Sequence, residues 1–112
     1  MSVVFALATP PAKSAICVFR VSGSGCLKKL GDLFDKKGFE FGRFYVNDLF
    51  HKKNIIDRVG LIVFKGPNSY TGEDSFEVYA HGGLGVMSSI INAFKGVGFD
   101  EAPGGEFTKR AF

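Results

Sequence analysis

The sequence predicts an α+β fold of mixed α/β layers, in which a mixed β-sheet of five or six strands carries two or three helices. Three observations carry that expectation. Apolar residues alternate with period two over 55–65 and 75–81. They recur at helical spacing over 26–34 and 84–94. The order that results is strand-strand-helix-strand-strand-strand-helix-strand, without repeats, linkers or low-complexity tracts. A chain of 112 residues is one domain's worth, and such a domain buries roughly 65% of the surface its unfolded chain exposes.

Each element has its own signal. Residues 3–7 are a short apolar strand ended by the breaker Thr9-Pro10-Pro11. Residues 15–21 form a second strand, apolar on both faces except at Arg20, stopping at Ser22-Gly23-Ser24-Gly25. Cys26, Leu27, Leu30, Leu33 and Phe34 then share one face of a short helix whose opposite face is Lys28, Lys29, Asp32 and Lys36. From Phe39 the period becomes two: Phe39, Phe41 and Arg43, then 44–46, read as an aromatic strand. His51-Lys52-Lys53-Asn54 is the polar tip of a hairpin, and 55–65 returns with Val59, Leu61 and Val63 alternating against Arg58, Gly60 and Ile62. Residues 66–72 are a loop by composition. In 75–81, Phe76, Val78 and Ala80 face one way and Glu77, Tyr79 and His81 the other. Leu84, Met87, Ile90, Ile91 and Phe94 make a helical stripe closed by Gly96 and Gly98, and a short segment around Phe99 follows. The tail 106–112 opens a new helical pattern and stops inside its second turn, so the chain is expected to be a piece of a longer protein.

Composition excludes several classes. With 46% hydrophobic and 22% charged residues the chain is not intrinsically disordered. Thirteen Phe can fill a core, and 15 Gly imply numerous tight turns. The net charge of +3 is too small to argue nucleic-acid binding, but it is segregated. Residues 1–65 hold 11 Lys/Arg against 5 Asp/Glu, and residues 66–112 hold 3 against 6. That polarity suits head-to-tail pairing or an anion held at one end; a solvated surface that happens to segregate is the plain alternative. Cys17 and Cys26, without a CxxC or a histidine cluster, make neither a disulfide framework nor a zinc site, which points to a reducing cytoplasm. The first eight residues imitate a signal peptide but lack a basic start and a long enough apolar run. No stretch approaches the ~18 apolar residues of a membrane span, so a soluble protein is expected.

Motifs are few. There is no GxxxxGK[ST], hence no P-loop and no expected nucleotide hydrolysis. Gly82-Gly83-x-Gly85 before a helix could hold an anion on backbone amides, but a plain strand-to-helix turn accounts for it as well. His51 and His81 have no ligand-spaced companions, so no metal is expected. Arg20 and Glu77 stand out instead, each near the middle of an apolar strand where an unpaired charge would cost several kcal/mol. They can pair with each other, point to solvent, or meet a polar ligand in an apolar pocket. A carboxylate accepts two donors from a planar heterocycle, and an arginine fork suits an acceptor or an acid group.

Five segments in order carry a resemblance: Ala6-Leu7-Ala8-Thr9-Pro10-Pro11, Phe19-Arg20-Val21-Ser22-Gly23, Gly66-Pro67-Asn68-Ser69-Tyr70-Thr71-Gly72-Glu73-Asp74, His81-Gly82-Gly83, and 103–112 with its Gly-Glu-Phe-Thr-Lys-Arg-Ala-Phe. From end to end the chain resembles the N-terminal domain of the MnmE (TrmE) family of tRNA-modification GTPases. The resemblance implies a domain, here 1–105, that binds a tetrahydrofolate derivative (5-formyl- or 5,10-methylene-tetrahydrofolate) and forms a homodimer, with a fold similar to the folate-binding module of the glycine-cleavage T-protein. It makes 106–112 the start of a helical domain and leaves GTP, Mg and K to a G domain further on. The whole protein would act with the partner MnmG on the wobble uridine of tRNA in the cytoplasm, away from any membrane, the folate supplying the one-carbon unit. The family's folate-binding arginine falls on Arg20 and its glutamate on Glu77, the two residues already singled out. Where the family has Pro-Pro-Gly-Arg-Gly, this chain has Pro10-Pro11-Ala12-Lys13-Ser14, in which Lys13 keeps a positive charge. The chain by itself is expected to catalyse nothing. The alternative is a structural dimerisation module in which Arg20 and Glu77 pair and no ligand binds; a free-standing folate-dependent transferase is weaker for want of a placed general base.

Overall fold

The computed structural model describes residues 3–9, 12–35 and 38–102. The expected junction at residues 105 and 106, and the tail after it, lie outside these. Strands β1 (Val4–Leu7), β2 (Ile16–Ser22), β3 (Phe44–His51), β4 (Asn54–Phe64), β5 (Ser75–His81) and β6 (Asp100–Glu101) form one sheet, in the order β3-β4-β5-β2-β1-β6. Every pairing is antiparallel except β1 with β6, so the sheet is mixed, as expected of an α+β fold. A short helix α1 (Leu30–Leu33) follows β2, and α2 (Leu84–Gly96) follows β5.

The period-two pattern decides which face is inside. Cys17, Phe19 and Val21 of β2, Val59, Leu61 and Val63 of β4, and Phe76, Val78 and Ala80 of β5 are all buried on one side. Onto them α2 lays Met87, Ile90, Ala93 and Phe94. The Phe94 ring meets Phe5, Phe19 and Phe76 edge-on at centroid distances of 5.2, 5.8 and 6.2 Å, the geometry that ring quadrupoles favour. The end of α2 is fixed by its own sequence. The N–H of Gly98 (φ 96°) bonds the carbonyl of Lys95 and that of Phe99 bonds the carbonyl of Phe94, both at 3.0 Å, while the Phe99 and Phe94 rings pack 5.8 Å apart. That turn delivers the chain into β6, where Asp100 N donates to Val3 O.

Three local expectations are revised. The first helix winds as a 3-10 turn over Cys26–Lys29 before one α turn, although its inward residues Cys26, Leu30, Leu33 and Phe34 are those the spacing selected. The aromatic strand begins at Phe44 rather than Phe39, because Gly38 and Gly42, both with φ of 77°, turn the chain out of the extended conformation. Phe39 still packs, against Phe34 and Tyr45, while Phe41 is exposed. Leu84, at the first position of α2, is 59% exposed and lies outside the stripe that α2 buries. Among the described residues no helix is long and apolar enough to cross a membrane.

The β3–β4 hairpin closes through a two-residue turn, with His51 paired to Asn54 and φ of 51° and 68° at Lys52 and Lys53. Positive φ at both positions defines the turn whose twist matches that of the strands, yet lysine is poorly suited to it. Replacing the pair by Asn-Gly (Lys52→Asn with Lys53→Gly) should raise stability by about 1 kcal/mol in urea unfolding. An unchanged or lowered midpoint would contradict the backbone geometry described here.

Candidate functional site

The sheet face away from α2 carries the residues the sequence singled out. Ala6, Arg20, Glu77, Ile62 and Phe44 are successive cross-strand neighbours, one row running over β1, β2, β5, β4 and β3. The next row is Val18, Tyr79, Gly60 and Val46. Because α2 occupies the opposite face, this one keeps apolar side chains in solvent: Ile16, Phe44 and Val46 are all more than half exposed. The Phe44 ring lies over Gly60, so close that a Cβ there would collide with it, and meets Tyr79 at 5.8 Å.

Arg20 and Glu77, 57 residues apart in sequence, are brought side by side. Nε of Arg20 donates to Oε2 of Glu77 at 2.9 Å, and the hydroxyl of Tyr79 donates to Oε1 at 2.6 Å. The carboxylate is therefore held at both oxygens, while no hydrogen bond among the described residues uses Nη1 or Nη2 of Arg20. Arg20 is 39% exposed against 16% for Glu77, so the guanidinium end reaches solvent and the carboxylate lies beneath it. Burial, and next the bond to Glu77, push the Tyr79 phenol up to about 12.

Over one end of this face folds the loop between β4 and β5. Its Tyr70 ring sits 5.1 Å from the Arg20 guanidinium carbon, within cation–π range. Ser22 Oγ donates to Glu73 Oε1 at 3.1 Å and stands 2.6 Å from Thr71 Oγ1, which accepts the Glu73 N–H. With its one proton directed at the carboxylate, Ser22 takes Thr71 as its donor, and the three residues close a ring. Asp74 anchors the base of the loop: Oδ1 accepts the N–H of Gly66, Oδ2 meets Lys65 Nζ at 3.1 Å, and its carbonyl accepts from Gly23 N and Cys26 Sγ. The Gly66 N–H, and after it Lys65, hold the Asp74 carboxyl below the usual carboxylate range. Gly66 itself has no room for a side chain, since a Cβ would lie 2.5 Å from the carbonyl oxygen of Gly72. Arg20, Glu77, Phe64, Tyr70 and Thr71 line a cleft of about 60 Å³, space for roughly two waters while Tyr70 stays where it is.

The remaining sequence candidates are placed elsewhere. His81 bonds Asp57 through Nδ1 at 2.9 Å and is otherwise in solvent; His51 lies under Gly96. Among the described residues no three His, Cys, Asp or Glu side chains stand close enough to share a metal ion. Cys17 and Cys26 are buried free thiols, and burial raises both, Cys26 to about 12, which leaves them unreactive. Pro10 and Pro11 lie outside the described residues. Tyr70 and Tyr79 were not among the candidates. Alternation places Tyr79 on the face of Glu77, but nothing local in the sequence places Tyr70 over Arg20.

Two outcomes follow from these bonds. Since the Tyr79 phenol titrates above its unfolded value of about 10, its share of stability is full below that value and is lost as pH rises toward about 12. Tyr79→Phe should remove that part of the alkaline decline, read as unfolding free energy against pH. Asp74 has the opposite sign: its share is full above about pH 4 and is lost as pH falls through the lowered value. Asp74→Asn should cost about 1 kcal/mol at neutral pH and flatten the acid decline; an acid limb identical to the parent's would refute the anchor.

The site can be set beside known proteins. A family described as the N-terminus of the GTP-binding protein TrmE matches residues 3–112. The tRNA modification GTPase MnmE of Fervidobacterium nodosum is 38% identical over 119 aligned residues, covering 97% of this chain and 25% of that protein. That of Helicobacter pylori is 38% identical with 97% and 24% covered, and that of Thermosipho melanesiensis 37% with 97% and 25%. The chain thus spans about a quarter of the length of these curated relatives. With the match running through the strands that bear Arg20 and Glu77 and the loop that roofs them, this chain belongs to the TrmE N-terminal domain family.

Proposed function

We propose that this chain is a folate-binding and dimerising module, in which Arg20 and Glu77 hold the heterocycle of a tetrahydrofolate derivative. The observation that carries the reading is the half-used pair set among the apolar side chains Ala6, Val18, Ile62, Phe44 and Val46, on a face whose other charged groups, Arg58 with Asp48 and His81 with Asp57, are paired elsewhere. Glu77 is fixed by Arg20 and Tyr79 yet retains lone pairs for ring N–H donors, and Arg20 retains Nη1 and Nη2 for an acceptor. A planar ring is the natural replacement for Tyr70, which already lies against the guanidinium. The bare apolar surface around Ile16, Phe44 and Val46 supports a homodimer. GTP hydrolysis with Mg and K, the partner MnmG, tRNA as substrate and a cytoplasmic location belong to the reading of the whole protein. The relatives' printed names support its GTPase and tRNA parts, and the two unpaired, buried thiols its cytoplasmic part.

A second reading has one observation in its favour: the Arg20–Glu77 pair is formed at 2.9 Å without any ligand, as a purely structural module would have it. The two readings part in a double substitution. Replacing an ion pair by apolar residues of similar volume is often neutral or stabilising, whereas removing one partner strands the other. Arg20→Met with Glu77→Leu should therefore leave a folded chain and abolish binding of 5-formyltetrahydrofolate in calorimetry. Glu77→Gln alone should cost about 2–3 kcal/mol of binding, as for a hydrogen bond to a charged group. Full affinity in the double variant, or a parent that binds no folate, sinks the folate reading; collapse of the double variant favours the structural one.

A further inference from the structure

The Arg20–Glu77 pair lies under a side chain carried on a fixed backbone. The N–H of Asn68 bonds Lys65 O, that of Ser69 bonds Pro67 O, and that of Gly72 bonds Ser69 O, which makes Tyr70 and Thr71 the central residues of a hydrogen-bonded turn. The residues on either side of Tyr70 are tied down: Ser69 Oγ donates to the Glu73 carbonyl, and Thr71 belongs to the ring with Ser22 and Glu73. Beneath the loop the buried thiol of Cys26 donates to the Asp74 carbonyl at 3.3 Å. The Tyr70 side chain leaves this framework. It is 50% exposed, and its ring crosses to the Arg20 guanidinium.

The cleft under Tyr70 holds about 60 Å³, against roughly 300 Å³ at the low end for pockets that enclose a drug-sized ligand. The ring fills the space over the guanidinium and beside Glu77 into which a planar ligand has to fit, so ring and ligand exclude each other. We infer that Tyr70 is a gate: in the unliganded chain its ring covers Arg20, and it opens by turning out into solvent about its own side-chain bonds, on a loop that stays in place. The alternative, lifting the loop, breaks the bonds of Asp74 to Gly66, Lys65 and Gly23 and the ring of Ser22, Thr71 and Glu73, and bares Cys26. Turning one half-wet ring gives up its cation–π contact and leaves those bonds intact. The gate also selects. A ligand with a flat face replaces the Tyr70 ring on the guanidinium, whereas a polar group without one displaces the ring and leaves that contact unreplaced. The identity of the ligand rests on the folate reading above; the gate does not.

The test has one arm without ligand and one with it. An exposed cation–π contact leaves the open form at about a sixth to a third of the population, so removing the ring should raise access to Arg20 about three- to six-fold. In the first arm phenylglyoxal, which attacks the outer nitrogens of arginine, should label Arg20 faster by that factor in Tyr70→Ala than in the parent, read by peptide mass spectrometry with Arg58 as the reference. Cys26 should alkylate with iodoacetamide as slowly in the variant as in the parent, since the loop does not lift. In the second arm Tyr70→Ala should bind 5-formyltetrahydrofolate tighter by the same factor in calorimetry. Tyr70→Phe, which restores the ring, should bring both readings back toward the parent's. Unchanged labelling of Arg20, a Tyr70→Phe variant as open as Tyr70→Ala, or Cys26 exposed together with Arg20 overturns the gate. Weaker folate binding in Tyr70→Ala overturns it too, by making Tyr70 a wall on which the ligand packs. A parent that binds no folate overturns the folate reading alone, and the gate is then decided by the labelling of Arg20.

Discussion

Everything on this molecule is placed by the seating of Phe94 among Phe5, Phe19 and Phe76. One helix has one apolar stripe, and a sheet with one covering layer has one dry face. Once α2 presses Phe94 into β1, β2 and β5, the odd-numbered residues of β2 and the even-numbered residues of β5 are inside. The opposite parity is then outside without further choice: Arg20 and Val18 on β2, Glu77 and Tyr79 on β5. A one-residue slip in either strand would bury a charge and expose a phenylalanine, so the register of the β2–β5 pair is defended on both faces.

That constraint explains how two charges can sit in the middle of apolar strands. They are not in the core. They occupy adjacent positions on a half-solvated face, where Arg20 lies over Glu77 and Tyr79 takes the second carboxylate oxygen. At this level of exposure the ion pair contributes little to stability, and its residues are better understood through what they offer outward. The neighbouring surface of Ile16, Phe44 and Val46 is apolar for the same reason that Arg20 is accessible: no second layer covers it among the described residues.

The loop between β4 and β5 has a physical content of its own. In Gly66-Pro67-Asn68-Ser69-Tyr70-Thr71-Gly72-Glu73-Asp74, nearly every polar residue is a hydrogen-bonding partner for the loop itself or for the turn after β2. Asp74 caps Gly66, Ser69 reaches the Glu73 carbonyl, and Thr71 and Glu73 close a ring with Ser22. Gly66 admits the carbonyl of Gly72 because it has no side chain. The loop is thereby a braced roof, and Tyr70 is carried to the guanidinium by bonds made elsewhere in it.

Local pattern alone determined the element order, the inward faces of β4, β5 and α2, the hairpin tip and the glycine stop after α2, because each rests on a period or on a turn residue a few positions away; β2, apolar on both faces but for Arg20, had its inward face chosen by the packing. It also marked Arg20 and Glu77, since a charge inside an apolar run is visible without a fold. Other features required the tertiary structure. The 3-10 winding at Cys26 and the late start of β3 depend on left-handed glycines whose conformation no period reports. The parallel β6, two residues long, exists only because the Gly98 turn aims it at β1. The meeting of Arg20 with Glu77 and Tyr79, and the placing of Tyr70 above them, needed β2 and β5 to pair in register across 57 residues and the loop to brace itself on Ser22. Sequence periodicity assigns a side chain to a face; which residues on that face become neighbours is decided by strand pairing, a long-range choice made when the apolar faces are buried together.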